Sequence, residues 1–244
     1  MKNTNKHYII IILLVMLIVS ILTYYIYKYN NTLKSKIINS NTIEVNYEIN
    51  KIDYEEELNK VRNKYNNNDI VGILSNSDDT LNEIVMQSTD NDYYLEHTVY
   101  HESNWRGQTF LDYRNDINNS DKLIIYGHNS NYYNLPFKVL ENYYNKSYYD
   151  ENKYLYLQTS LNKYKYEIFS VYVEVSDWDY YNKMKFNTKD EYYNHILKLK
   201  NKSMYDTNVL VNEDDKILII QTCSTKKEYS NYENKFLLII AKRV

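Results

Sequence analysis

The sequence is poor in the residues that punctuate or cross-link a chain: one cysteine, one proline and three glycines among 244 residues. A single thiol, Cys223, cannot close an intramolecular disulfide, so it is either buried and inert or free and reactive. Three glycines cannot build a Gly-rich phosphate loop. One cysteine and five scattered histidines give none of the spacings of a zinc site. No nucleophile-elbow serine motif is present, and nothing implies a cofactor. Arginine is scarce too, confined to Arg62, Arg106, Arg114 and Arg243. The formal charge of −3 comes without a long basic or acidic block, which excludes nucleic acid as the expected partner.

What is present divides the chain in two. Residues 8–27 (YIIIILLVMLIVSILTYYIY) carry no charge. Twenty helical residues rise about 30 Å, the hydrocarbon thickness of a bilayer. Tyr24, Tyr25 and Tyr27 stand where an interfacial aromatic belt would lie. The expectation is a transmembrane anchor at 8–27, a cytoplasmic tail at 1–7 and a polar, Asn-rich stalk at 28–52. A cleaved signal peptide is the alternative, but the run is long for one and no small-x-small pattern follows Ser20. Lys2 and Lys6 before the run and Lys28, Lys34 and Lys36 after it leave its orientation undecided by charge.

Residues 53–244 read as one domain. DYEEELNKVRNKY (53–65) places Leu58, Val61 and Tyr65 on one helical face with acids in the first turn. Short β-type runs follow at 70–74, 83–87, 108–113, 122–127, 165–175, 216–222 and 236–242. Helical segments at 135–144, entered through Pro136, and at 190–200 interrupt them. Many short strands with few helices point to a closed barrel or a sandwich.

Two residues stand at the ends of apolar strands. Cys223 follows ILIIQT and His128 follows LIIYG, with Gly127 expected to allow a tight turn. A core cysteine and a structural histidine are the plain readings of each alone. Together they suggest a nucleophile and its acid–base partner, because a thiolate needs a nearby cation to lower its pKa. His7 flanks the apolar run, while His97, His101 and His195 lie in polar, Tyr-rich or helical settings.

The segments DIVGIL (69–74), TDNDYYLEH (89–97), GQTFLDYRN (107–115), IIYGHN (124–129), YEIFSVY (166–172), IIQTCS (219–224) and LLIIAK (237–242) resemble, in order and spacing, those of class B sortases. The resemblance covers roughly residues 58–244. It implies a mostly-β barrel of about eight strands with peripheral helices, held outside a Gram-positive cell by an N-terminal transmembrane helix. It also implies a reaction. Cys223 attacks the Thr–Gly-like bond of a C-terminal sorting signal (LPXTG- or NPQTN-like), and an amine of the cell wall resolves the thioester. His128 serves as general acid and base. Surface proteins bearing the signal and a peptidoglycan precursor amine are the implied partners, together with the membrane.

Thr222 matches the family's Thr-Cys pair and is expected to shape the substrate groove, with Gln221 and Ser224 flanking it. One departure concerns the arginine that the family carries at the start of the last strand. Phe236 occupies that position here, preceded by Lys235 as the nearest substitute donor; Arg114 could approach from another strand, whereas Arg243 lies too far along. Three other readings compete. They are a pilin polymerase with a lysine acceptor, a degenerate member that only binds sorting signals, and an anchored structural domain without an active site.

Overall fold

The structure, a computed structural model, describes residues 16–34 and 52–244. Its described residues fall in two units that divide between Ile52 and Asp53. In the first, residues 16–34 form helix α1, which exposes Met16, Leu17, Ile18, Val19, Ile21 and Leu22. The helix runs on past Tyr27 into the expected stalk. The expected tail, residues 8–15 of the expected span and residues 35–51 of the stalk lie outside the described residues. Among the described residues no helix is long and apolar enough to cross a membrane, so the expected transmembrane helix has no support in the structure.

The second unit is an eight-stranded closed barrel in the order β1-β2-β3-β4-β7-β8-β6-β5. Its strands are β1 (Ile70–Asn76), β2 (Asn82–Met86), β3 (Phe110–Leu111), β4 (Lys122–Tyr126), β5 (Tyr154–Gln158), β6 (Lys163–Glu174), β7 (Ile217–Cys223) and β8 (Phe236–Arg243). β4 and β7 are parallel, as are β2 and β3; the remaining pairs are antiparallel. Around the barrel stand α2 (Tyr54–Tyr65), α3 (Lys146–Glu151), α4 (Asp179–Asn182) and α5 (Lys189–Asn201). Pro136–Tyr144 is a 3-10 stretch, which the proline opens at a first-turn position.

Local chemistry explains where elements begin and stop. Asp53 caps α2 by accepting the Glu56 N–H at 3.0 Å, and Thr188 caps α5 through Glu191 N–H. β3 is shorter than the expected 108–113 because Asp112 turns the chain. Its carboxylate accepts the Arg114 backbone N–H at 2.9 Å, and its carbonyl accepts that of Asn115. Cys223 proves to be the last residue of β7 rather than the first beyond it.

Alternation along the central strands separates two cores. Leu123 and Ile125 of β4, Leu218 and Ile220 of β7, and Leu237, Ile239 and Ala241 of β8 belong to a cluster drawn from all eight strands, the barrel interior. Their neighbours Ile124, Tyr126, Ile217, Ile219, Leu238 and Ile240 face outward. There they pack with Leu58 of α2, Tyr180 of α4 and Ile196 and Leu199 of α5. Both faces of these strands are therefore buried, which is why they read as continuous apolar runs.

Asp112, fully buried, ties several elements to this outer layer. Arg114 grips it in a fork, Nε to Oδ1 at 2.8 Å and Nη2 to Oδ2 at 2.6 Å. Tyr126 and Asn91 also donate to Oδ2, at 2.6 and 3.0 Å. Burial alone would raise its pKa, but these donors, Arg114 foremost, outweigh it and hold the carboxyl below its ordinary value. A depressed folded-state pKa contributes stability that is present above the unfolded value of about 3.9 and is lost as pH falls through the lower folded value. Asp112→Asn is expected to destabilise the barrel by about 2–4 kcal/mol at neutral pH, read by chemical denaturation. The same substitution should flatten the loss of stability below about pH 4; a stability and pH profile equal to wild type would contradict the role given to Asp112.

Candidate active site

The parallel register of β4 and β7 brings the two strand ends level. Tyr126 is paired with Gln221, so His128 and Cys223 each follow two residues beyond that pair. The ladder continues past the end of β4: Gly127 N–H donates to Gln221 O at 3.2 Å, and the Thr222 hydroxyl donates to Gly127 O at 2.7 Å. Gly127 does not adopt a left-handed turn conformation. Glycine is needed there because a Cβ would stand 2.6 Å from the Phe137 ring. The expected tight turn is thus replaced by close packing of a ring against backbone.

His128 and Cys223 line one cavity of about 260 Å3, with Asn91, Leu95, Tyr126, Tyr181, Gln221 and Phe236 among its walls. By the alternation along β7, Gln221 and Cys223 face this outer side and Thr222 faces inward. His128 donates from Nε2 to Leu95 O at 2.9 Å, because a carbonyl can only accept. That bond leaves Nδ1 as the nitrogen able to accept a proton in the neutral ring. Leu95 ends the short 3-10 turn Tyr93–Leu95, so the TDNDYYLEH segment serves to orient the histidine.

Cys223 reaches the surface at the mouth of the cavity. The protein around its sulfur still strips water from the thiolate, and this burial pushes the thiol above its ordinary value, while the Lys235 ammonium pulls the other way. That shift favours the protonated thiol of Cys223 over its thiolate.

The other expected site residues take distinct places. Thr222 is buried with its hydroxyl committed to Gly127. Ser224 is buried outside the cavity; its N–H donates to Lys235 O and its hydroxyl pairs with Tyr144 OH at 2.7 Å. Lys235 donates its ammonium to Tyr232 O at 3.0 Å and is not a wall of the cavity. Phe236 lies directly across from Cys223 in the β7–β8 register, its ring edge-on to Trp178. Arg114 is engaged with Asp112 and lies 4.4 Å from the Tyr181 ring centre. Arg243 ends β8 against the Tyr164 ring.

A supporting loop completes the rim. Asn129 donates to Cys223 O and to Glu141, each at 3.0 Å, and Glu141 also accepts from the Thr225 and Lys138 side chains. The remaining described histidines are used structurally. His97 stacks on Tyr93 with ring centres 4.0 Å apart, and His101 meets the Tyr93 hydroxyl at 3.1 Å. His195 is buried and its pKa is pushed down to about 3 by burial, with Lys122 and Lys183 adding to the effect. A larger cavity of about 880 Å3, beside Lys122, Phe186 and Tyr192, contains neither Cys223 nor His128. Asp112, Asn91 and Tyr180 carry much of the site's support and were not singled out from the sequence. The one signal for them was an acid inside the otherwise apolar FLDY run.

The chain is similar to known proteins over most of the barrel unit. The sortase domain family matches residues 84–244. Sortase B of Listeria monocytogenes is 36% identical over 164 residues, 67% of this chain and 66% of that protein. The chain thus spans just under two thirds of that relative. Sortase B of Staphylococcus aureus is 32% identical over 177 residues, 72% of this chain and 70% of that protein. A cysteine-to-serine mutant form of Clostridium perfringens sortase B has a similar structure, with a TM-score of 0.69 at 27% identity, covering 78% of this chain and 89% of that one. With its barrel, its family match and its relatives in agreement, this chain belongs to the sortase family, in class B.

Proposed function

We propose that this chain is a cysteine transpeptidase that cleaves a C-terminal sorting signal and passes the protein to an amine of the cell wall. The observation that carries the reading is the shared cavity of Cys223 and His128 on level strand ends. Attack begins from the neutral thiol. Sulfur adds to the carbonyl carbon of the scissile bond as His128, tethered through Nε2, takes the thiol proton on Nδ1. The carbonyl electrons move to oxygen, then return as the amine leaves with the proton from His128. The thioester on Cys223 is next attacked by an acceptor amine, whose proton follows the reverse route.

The signal is LPXTG- or NPQTN-like by family resemblance. The apolar run 8–27, together with the exposed apolar side chains of α1, supports anchorage to a membrane, and the family resemblance supports a barrel outside the cell. One observation favours a second reading, a slow or purely binding member: Phe236, opposite Cys223, has no hydrogen-bond donor to offer the reacting carbonyl.

Incubation of the full chain with LPXTG- and NPQTN-type peptides, followed by intact-mass measurement, separates the two. A thioester adduct on wild type that disappears in Cys223→Ala is expected. A folded protein that binds a peptide but forms no adduct would replace the enzyme with the binder. The electrostatics yield a second prediction. Because the folded thiol lies above its ordinary value, alkylation of Cys223 by iodoacetamide should rise with pH through a midpoint above that of an exposed cysteine. Lys235→Gln removes the opposing positive charge and should move that midpoint further up. A midpoint unchanged or lowered by Lys235→Gln would remove Lys235 from the site's electrostatics.

A further inference from the structure

An acyl transfer at Cys223 creates a negative oxygen, and the cavity must supply a donor for it. Most of its polar groups are already engaged. Tyr126 and Asn91 donate to Asp112, Thr222 donates to Gly127 O, and His128 donates to Leu95 O. Across the ladder, Phe236 offers only a ring. Lys235, whose ammonium is held by Tyr232 O, is not among the walls.

Neither the Tyr181 hydroxyl nor the Gln221 amide nitrogen has a hydrogen-bond partner among the described residues, and of the two side chains only Gln221 is anchored by a hydrogen bond. The buried Tyr180 hydroxyl donates to its Oε1 at 2.8 Å, which fixes the carboxamide with the oxygen held and Nε2 on the other side. Nε2 has no hydrogen-bond partner among the described residues and is not sealed away from solvent. Gln221 lines the cavity and precedes Cys223 by two residues on the same face of β7, a spacing of about 6.6 Å along a strand. Strand side chains lean along the strand direction, which lets Gln221 incline toward Cys223. A tyrosine lock on the far side of an amide is the kind of support that keeps a donor aimed without rearrangement during reaction.

We propose that Gln221 Nε2 donates to the oxygen of the carbonyl under attack by Cys223, and that Tyr180 is the positioning residue that aims it. This rests on Cys223 being the nucleophile but not on the identity of the peptide substrate. The sulfur–carbon bond forms, the carbonyl π pair moves to oxygen under the Nε2–H, and its return expels the leaving group.

Two reagents separate this role from general damage to the thiol. p-Nitrophenyl acetate acylates Cys223 through an oxyanion, whereas iodoacetamide alkylates it without one. In the full chain, Gln221→Ala should slow acylation about 10²-fold while alkylation stays within about twofold. Gln221→Glu keeps the volume and the acceptor for Tyr180 but loses the donor, and should slow acylation at least as much. Tyr180→Phe should lower the acylation-to-alkylation ratio by a smaller factor. Gln221→Ala acylating at the wild-type rate, or losing both reactions in parallel, would overturn the proposal. So would a loss of that size in Tyr181→Phe instead, which would move the donor to the neighbouring tyrosine on the cavity wall. Because neither reagent carries a sorting signal, a failure to react with peptides would count against the transpeptidase reading and leave this comparison intact.

Discussion

The parallel pairing of β4 with β7 is the constraint on which the rest of the site depends. Parallel neighbours run their carboxyl ends to the same edge, so two residues far apart in sequence emerge side by side. Tyr126 opposite Gln221 sets the register, and the bonds from Gly127 and Thr222 extend it past the end of β4. A slip of one residue would turn Cys223 to the barrel interior and expose Thr222. Burial on both faces opposes that slip, since Leu218 and Ile220 fill the interior while Ile217 and Ile219 meet the outer helices.

The outer layer then makes the strand ends into a site. Asp112 gathers Arg114, Tyr126 and Asn91 beneath the cavity, and Leu95 holds His128 by its Nε2. The interior of β4 and β7 is apolar, so the polar groups at the site are held from the sides, by α4, the 91–95 segment and the Glu141 cluster. Burial at this edge pushes the Cys223 thiol above its ordinary value, against the pull of the Lys235 ammonium.

Much of this was legible in the sequence because it rests on short-range pattern. The apolar runs at 122–127, 216–222 and 236–242 identify strands buried on both sides, and the histidine and cysteine at two of their ends share one cavity. Asp53 and the acids behind it announce α2. Other features depend on partners distant in sequence. β5 (YLYLQ) was missed because its outward positions are tyrosines, which blur an alternation that Leu155 and Leu157 keep on the buried side. Pro136–Tyr144 has helical periodicity but settles as a 3-10 stretch, with Phe137 pressed onto Gly127. The commitments of Thr222 and Ser224 to Gly127 and Tyr144 are tertiary contacts that no local motif encodes.

The level placement of His128 and Cys223 can be measured without substrate. Neighbouring strands lie about 4.8 Å apart, inside the roughly 4.4–6.8 Å range of Cα separations that a disulfide spans. Under mild oxidation of the full chain, His128→Cys should form one intramolecular disulfide with Cys223, seen as a loss of two mass units and of both free thiols. Two thiols that stay free and alkylatable in the folded protein would contradict the register from which the site is built.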